Sequence, residues 1–328
     1  MRDFEPHPLL RNAHLMTLAA AFWWRRYHGL PPSAPRLFET EPGTRVRADC
    51  HWQLEPRRHP ALVLLHGLEG SSDSGYMLGT AEKAFRAGFS VLRLNQRNCG
   101  GTESLTPTLY NSGLSVDVRA VALELLEKDR LAEIFVAGFS MGGNLVLKMV
   151  AELGSTAPAE LRAAIGVCPS CDLAACADAI GEPRNVLYER HFVRRLKERM
   201  RLKSAMFPGR YALNGLDRVR TVREFDDVIT ARFCGFRDAD DYYARSSALP
   251  LLGEIRVPVL LLTAQDDPMI PFRSFDAAAL QRNPHLKLLA PRHGGHCAFI
   301  SRSSGDERFW AESRIVEFCL AHSRLISH

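Results

Sequence analysis

The sequence has no apolar run long enough to cross a membrane. No stretch of its 328 residues approaches the roughly 18–20 apolar residues that a membrane-spanning helix needs. The best candidate, residues 13–24, is short, contains His14 and Thr17, and is followed by Arg25 and Arg26. Prolines precede it and tryptophans stand where a signal-peptide cleavage site would be. We therefore expect a cytoplasmic protein without a transmembrane segment.

Cysteine is also scarce. The eight cysteines are irregularly spaced, and Cys168, Cys171 and Cys176 form their only cluster. A structural zinc site needs about four ligands, and no second cysteine pair with ligand spacing accompanies the cluster. We interpret the cysteines as reduced structural thiols and predict no metal site.

Neither sign of charge dominates. The formal net charge is +5, and the basic residues are scattered apart from a denser stretch at Arg194–Lys203. A nucleic-acid-binding protein usually concentrates basic residues on one surface, so we predict no nucleic-acid partner. The dense stretch is typical of a solvated helix face.

The overall composition is that of a folded soluble protein. Hydrophobic residues make up 46% and charged residues 24% of the chain, which excludes intrinsic disorder and a coiled coil as the whole-chain structure. The chain is longer than a typical small domain. However, α/β enzymes often reach this length as one domain with insertions.

Short apolar runs predict the strands of a central sheet. Six of them are continuous rather than alternating, which is typical of parallel strands buried on both faces. Two earlier stretches, 36–41 and 45–54, are more polar and alternate, and they predict antiparallel edge strands. The six runs are Ala61–Leu65, Phe89–Leu94, Ile134–Phe139, Ala163–Val167, Val257–Thr263 and Leu286–Leu289.

Helical patterns lie between these runs. Apolar side chains recur at helical spacing around residues 78–85, 118–125, 145–153 and 311–318. Strands that alternate with helices predict an α/β doubly wound fold, with a mostly parallel sheet flanked by helices.

One region interrupts the alternation. Between residues 172 and 249 there is no convincing buried strand, and charged helical segments fill the space. We therefore predict a helical cap at 172–249 over a core formed by 1–171 and 250–328, with an N-terminal arm at 1–35.

The strongest chemical signal is the sequence Gly-Phe-Ser-Met-Gly-Gly at 138–143. It follows a predicted strand and opens a predicted helix, which is the context of the G-x-S-x-G nucleophile elbow. The serine sits at a sharp, strained turn, and larger side chains at Gly138 and Gly142 would clash. We predict Ser140 as a nucleophile.

A serine nucleophile needs a base, and His296 is best placed to supply it. It follows the last predicted strand in a glycine-containing loop, from which an imidazole can reach the elbow. His293 is the local alternative.

The base in turn needs a carboxylate to orient it. Asp266 and Asp267 come directly after the strand at 257–263, so the chain order is nucleophile, acid, base, as in α/β-hydrolases. The spacing of Asp267 to Pro271 favours Asp267. Asp266 is then expected to accept hydrogen bonds from backbone donors two residues on. Asp172 is the further alternative.

The loop at His66–Gly70 follows the first buried strand and is predicted to complete the oxyanion hole. The expected donors are the backbone N–H groups of Leu68 and Met141. His66 itself is interpreted as a brace for this loop, and Cys99 in a neighbouring tight turn as a packing residue.

The sequence resembles the YheT-like branch of the α/β-hydrolases, whose mammalian relatives are ABHD-type lipid hydrolases. One departure is Met16, where the family's early motif commonly has glutamine. The resemblance spans nearly the whole chain and is carried by Asn12–Leu18, His66–Gly70, Asn95–Gly101, Gly138–Gly143, Asp241–Ser247, Asp266–Pro268 and Gly295–His296.

The resemblance implies a hydrolase of carboxylic esters with the triad Ser140, Asp267 and His296. The expected substrate is a small-molecule or lipid ester, and no metal or organic cofactor is implied. Two alternatives remain: an acyltransferase or thioesterase with the same triad, and a ligand-binding protein without catalysis. The complete set of nucleophile, acid and base argues against the second.

Two aromatic groups have other expected roles. The segment Phe22–Trp24 is expected to pack across the body of the protein, with peripheral membrane contact as the alternative. Tyr242 and Tyr243 are expected to pack the cap against the core rather than to bind substrate.

Overall fold

The computed structural model describes residues 2–276, 280 and 282–326, and its described part is built around one mixed sheet. The spatial order of the strands is β1-β2-β4-β3-β5-β6-β7-β8. Their bounds are β1 Ala34–Glu41, β2 Thr44–His51, β3 Ala61–Leu65, β4 Ser90–Leu94, β5 Ile134–Phe139, β6 Leu161–Val167, β7 Val259–Leu262 and β8 Leu286–Leu289.

The predicted parallel strands are confirmed. Strands β3 to β8 pair in parallel, and β3, β5 and β8 have the predicted bounds. Every residue of β3, β4 and β5 is buried, as expected for strands covered on both faces. Strand β8 differs because it lies at the sheet edge: its leucines are partly buried and its Lys287 is exposed.

The two polar strands are antiparallel, as predicted, but only one of them is an edge strand. β1 pairs with β2, and β2 pairs with β4, so β2 lies inside the sheet. Residues 48–51 at its end are all buried. The prediction of two edge strands was wrong for β2, because residues 48–51 pair with β4 and the polar Asp49 and His51 are buried there.

Helices cover both faces of the sheet. Helix α2 packs against α10, and α3 packs against α4. The bounds are α1 Ala13–Phe22, α2 Gly75–Arg86, α3 Ser115–Glu127, α4 Met141–Leu153, α5 Leu173–Ile180, α6 Val186–Met206, α7 Val222–Phe225, a π-helical stretch Asp226–Ala231, α8 Arg232–Cys234, α9 Ala239–Ser246 and α10 Trp310–His322.

The segment between β6 and β7 is helical. All of residues 172–249 are described, and this stretch contains helices α5 to α9 but no strand. It also has a hydrophobic cluster of its own, separate from the cluster around the sheet. The buried members of this cluster are Val193, Leu196, Met200, Tyr211, Leu216, Val219, Val222, Phe225 and Ile229.

Helix α1 is covered on one side only. Its Met16 is fully buried against Ala298 and Ile300, whereas Phe22 and Trp24 are 83% and 74% exposed. The expectation that the whole aromatic segment packs against the body was therefore wrong for these two side chains. Within the described residues, no helix combines the length and apolar character that would let it span a membrane.

Candidate active site

Ser140 occupies the sharp turn between β5 and α4. Its φ of 54° lies in the left-handed region, which a residue other than glycine seldom adopts. A Cβ at Gly138 would collide with the backbone of Gly142, and a Cβ at Gly142 would collide with the carbonyl of His66. Glycine is therefore required at both positions, as predicted, because the chain passes too closely for any side chain.

The structure places an aspartate against the imidazole of His296. Asp267 Oδ2 lies 2.9 Å and Oδ1 3.2 Å from His296 Nδ1. The Asp267 carboxylate is buried, and its Oδ1 also accepts the N–H groups of Met269 and Ile270. Burial alone would lower the pKa of His296, but the charge of Asp267 helps to hold it well above its ordinary value. This pairing leaves Nε2 as the nitrogen available for chemistry.

The neighbouring Asp266 has different partners. Its Oδ2 lies 3.2 Å from Nδ1 of the half-exposed His293, and its Oδ1 accepts the N–H of Gly295. The hydrogen bond from a backbone donor two residues on, which was expected for Asp266, is made by Asp267 instead. Asp266 contacts His293 and Gly295, so it stabilises the loop after β8 rather than its own turn. Asp172 caps α5 by accepting the N–H of Ala175.

Ser140 and His296 line the same cavity. No hydrogen bond joins the two side chains in the described structure. Such contacts are often loose in enzymes without substrate and tighten when substrate binds. The cavity also reaches Leu68 and Met141, the two predicted oxyanion donors.

The loop after β3 lies directly against Ser140. A Cβ on Gly67 would come within 3.0 Å of the Ser140 Cβ, which is tighter than side chains normally pack, so a larger residue here would push against Ser140. Among the described residues, the backbone N–H groups of Leu68 and Met141 donate to no other protein group. His66 braces the loop: its Nε2 accepts the N–H of Gln96, and burial lowers its pKa to about 4.

Comparison with known proteins agrees with this architecture. The Alpha/beta hydrolase family profile matches residues 62–309. The chain belongs to the alpha/beta hydrolase family. YheT of Escherichia coli is 33% identical to this hydrolase over 321 residues, covering 96% of this chain and 92% of YheT.

Two further relatives extend the comparison. Medium-chain fatty acid ethyl ester synthase/esterase 2 of Saccharomyces cerevisiae is 26% identical over 324 residues, covering 90% of this chain and 69% of the yeast protein. The solved esterase Pf2001 of Pyrococcus furiosus shares the fold with a TM-score of 0.57 at 16% identity, covering 96% of this chain and 97% of that one.

A buried ion pair joins the helical segment of the hydrolase to the loop at Leu68. Arg199 on α6 donates to both carboxylate oxygens of Glu69, at 2.8 and 2.9 Å, and the hydroxyl of Tyr110 also donates to Glu69. The Glu69 side chain is 2% exposed. On the same helix, Lys203 is buried, donates to Asn98 Oδ1, and has its pKa lowered to about 8 by burial.

The interpretation of 194–203 as a solvated helix face was therefore wrong for these two residues. Arg194 and Arg201 are exposed, as that interpretation requires, but Arg199 and Lys203 point inward. Charge density alone does not distinguish the two faces of a helix, and the helical periodicity of the apolar residues within 186–206 was the signal that could have done so.

The cavity of the hydrolase is large and mostly apolar. It occupies about 1010 Å³, including its part open to solvent, and helices of segment 172–249 form much of its wall. Tyr242 and Tyr243 both line it. Tyr242 also contacts the core, since its hydroxyl accepts the N–H of Ser112, whereas Tyr243 donates to Asp226 within its own segment. Its apolar lining includes Leu173, Ile180, Phe192, Leu196, Met200 and Phe225.

The loop carrying His296 is held by residues to which the sequence assigned no catalytic role. The N–H of His296 donates to Thr17 on α1, and the N–H of Cys297 donates to the sulfur of Cys168 at the end of β6. Thr17 lies in the early motif Asn12–Leu18, so that motif contacts the site through this hydroxyl. The cysteine contact joins positions 129 apart and has no sequence signal.

Proposed function

We propose that this protein hydrolyses carboxylic esters through an acyl-enzyme on Ser140. The observation that carries the proposal is the buried pairing of Asp267 with His296 on the wall of the cavity that contains Ser140. A strained serine, a base and an orienting carboxylate together make acyl transfer the chemistry best supported. The names of the yeast and archaeal relatives favour esters as the substrate class.

The first half of the reaction acylates Ser140. His296 Nε2 takes the proton as Ser140 Oγ attacks the ester carbonyl, and the same nitrogen then gives it to the departing alcohol. Asp267 stabilises the imidazolium and fixes its tautomer through Nδ1. The N–H groups of Leu68 and Met141 receive the developing oxyanion, each supplying about 3–4 kcal/mol of transition-state stabilisation.

The second half releases the acid. Water enters after the alcohol leaves, His296 removes its proton, and the hydroxide adds to the acyl carbonyl. Collapse of the tetrahedral intermediate returns the proton to Ser140 and frees the carboxylic acid. An alcohol that enters in place of water gives a new ester, and the yeast relative is named both synthase and esterase. Adding ethanol and measuring the ethyl ester separates acyl transfer from hydrolysis.

We further propose that residues 172–249 act as a cap over the core formed by 1–171 and 250–328. The separate apolar cluster in this segment and its share of the cavity wall support this division. Such a cap would enclose the acyl chain in an apolar environment, since Phe192, Leu196 and Met200 on α6 line the cavity.

A labelling experiment tests the proposal directly. A fluorophosphonate probe is expected to modify Ser140 in the native protein, and peptide mass mapping identifies the site. Because the cavity wall is apolar, kcat/KM for p-nitrophenyl esters should rise from acetate to longer acyl chains, by roughly tenfold for each two methylenes that are fully buried. Labelling at another serine, or a fall in kcat/KM with each added methylene, would contradict the proposal.

The Arg199–Glu69 pair gives a second prediction. Arg199→Met should cost about 3–5 kcal/mol in the free energy of unfolding, because it leaves the Glu69 carboxylate buried without its cation. It should also lower kcat by up to about 100-fold, since Glu69 adjoins the Leu68 donor and small displacements of catalytic groups are costly.

The matched control lies on the same helix. Arg194→Met removes an exposed pair with Glu198, worth about 0.3–0.5 kcal/mol, and should leave kcat unchanged. Chemical denaturation and steady-state kinetics on both variants supply the two measurements. A loss of stability in Arg199→Met with an unchanged kcat would mean that the pair supports the fold but not the oxyanion loop.

A further inference from the structure

Two thiols and an imidazole converge beside the proposed triad. Cys168 lies just after β6, and Cys297 directly follows His296. One ligand atom from each of Cys168, His296 and Cys297 lies within 4.8 Å of the others. Cys168 is fully buried, and both cysteines are free thiols. The proposed mechanism uses neither sulfur.

The spacing suits a soft divalent cation. Zinc binds thiolate sulfur at about 2.3 Å and imidazole nitrogen at about 2.0–2.1 Å, so tetrahedral ligands lie roughly 3.6–3.8 Å apart. Shifts of about 1 Å or less would bring the three side chains into that geometry. Two thiolates and one neutral imidazole form a donor set that zinc and related thiophilic ions prefer over calcium or magnesium.

We propose that Cys168, His296 and Cys297 form an inhibitory site for a thiophilic divalent cation of the zinc class. Binding would form two metal–sulfur bonds and one metal–nitrogen bond, and the protons displaced from the thiols and the imidazole would pass to solvent. His296 would then no longer be free to take the proton of Ser140. The inhibitory effect rests on the proposed function, whereas binding of the ion does not.

One ligand of the group faces the cavity, and the group differs from the cysteine cluster that is visible in the sequence. His296 lines the cavity, so an ion can approach the imidazole by the route that substrate takes. The cluster that spacing along the chain reveals is Cys168, Cys171 and Cys176, and the last two do not belong to this group. The group is assembled from the loops that follow β6 and β8, which spacing along the chain cannot reveal.

Inhibition by zinc is the first test. Wild-type protein should lose ester hydrolysis as Zn²⁺ is raised in a metal-buffered assay, and EDTA should restore it. Cys168→Ser keeps an oxygen that can accept the N–H of Cys297 but removes a thiolate, and its activity at each zinc concentration is expressed relative to its own activity without zinc. Its inhibition constant should rise at least tenfold, because changes to groups that merely support a metal ligand already cost 10–100-fold.

Two further variants keep this test interpretable. Cys171→Ser is the matched control, since Cys171 is a buried thiol in the same loop but outside the group, and its zinc inhibition should match wild type. Cys297→Ser removes the other thiolate, so it should weaken zinc inhibition to the same extent as Cys168→Ser. If Cys168→Ser does not fold, Cys297→Ser serves as the ligand variant in its place. Equal inhibition of wild type and both ligand variants would overturn the proposal, as would the absence of inhibition.

Cobalt binding supplies a readout independent of catalysis. Co²⁺ added to Ser140→Ala should produce thiolate-to-cobalt charge-transfer absorption in the near ultraviolet, and adding Cys168→Ser to that variant should weaken it. If wild-type protein hydrolyses no ester while Ser140→Ala gives the cobalt band, the proposed function is refuted and the metal site stands. Active protein without the band would refute the metal site alone.

Discussion

The variant Ser140→Ala is expected to lose ester hydrolysis by a factor of about 10⁴–10⁶ in kcat, which corresponds to about 5.5–8 kcal/mol. The loss follows from the proposed mechanism, in which His296 and Asp267 act only through the serine oxygen and no acyl-enzyme can form without it. Binding should change little, since the apolar cavity wall remains. The measurement is kcat and KM on a p-nitrophenyl ester, together with the melting temperature.

A second serine on the same cavity provides the control. Ser170 is buried and lines the cavity, and its N–H donates to the carbonyl of Ser140. Ser170→Ala makes the same chemical change without removing the proposed nucleophile, so it should retain at least a hundredfold more activity than Ser140→Ala. Comparable activity in Ser140→Ala and wild type would refute the triad, whereas an unfolded variant would show as a lost thermal transition.

The sheet could be predicted because its signal is local. Parallel strands buried on both faces require continuous apolar runs, and those runs placed β3, β5 and β8 at their observed bounds. The errors arose where burial depends on neighbours far along the chain. Strand β2 is internal and β8 is an edge strand. The strand order that determines these positions cannot be predicted from the residues of either segment alone.

The residues of the candidate site could be proposed from the sequence for a similar reason. The steric demands of the elbow leave Gly138, Ser140 and Gly142 as a recognisable pattern, and both Asp267 and His296 follow strands. The orientation of Arg199 and the meeting of Cys168 with Cys297 depend on tertiary packing. Such contacts between distant segments leave no periodic or spaced pattern in one sequence.

The adjacent aspartates should have very unequal effects on catalysis. In Asp267→Asn, one carboxylate oxygen must still accept the N–H groups of Met269 and Ile270, so the amide nitrogen takes the place of Oδ2. An amide nitrogen donates rather than accepts, which forces His296 to carry its proton on Nε2. That tautomer cannot accept the proton of Ser140, and the cost should reach about 10⁴ in kcat.

Asp266→Asn should behave differently because its amide oxygen can still accept the N–H of Gly295. The expected loss is about 1 kcal/mol in the free energy of unfolding, from the weakened contact with His293. Turnover and melting temperature measured on both variants decide the assignment. An inactive Asp266→Asn beside an active Asp267→Asn would reverse it. Full activity in both would mean that the acid lies elsewhere, and Asp172 would be tested next despite its role as the cap of α5.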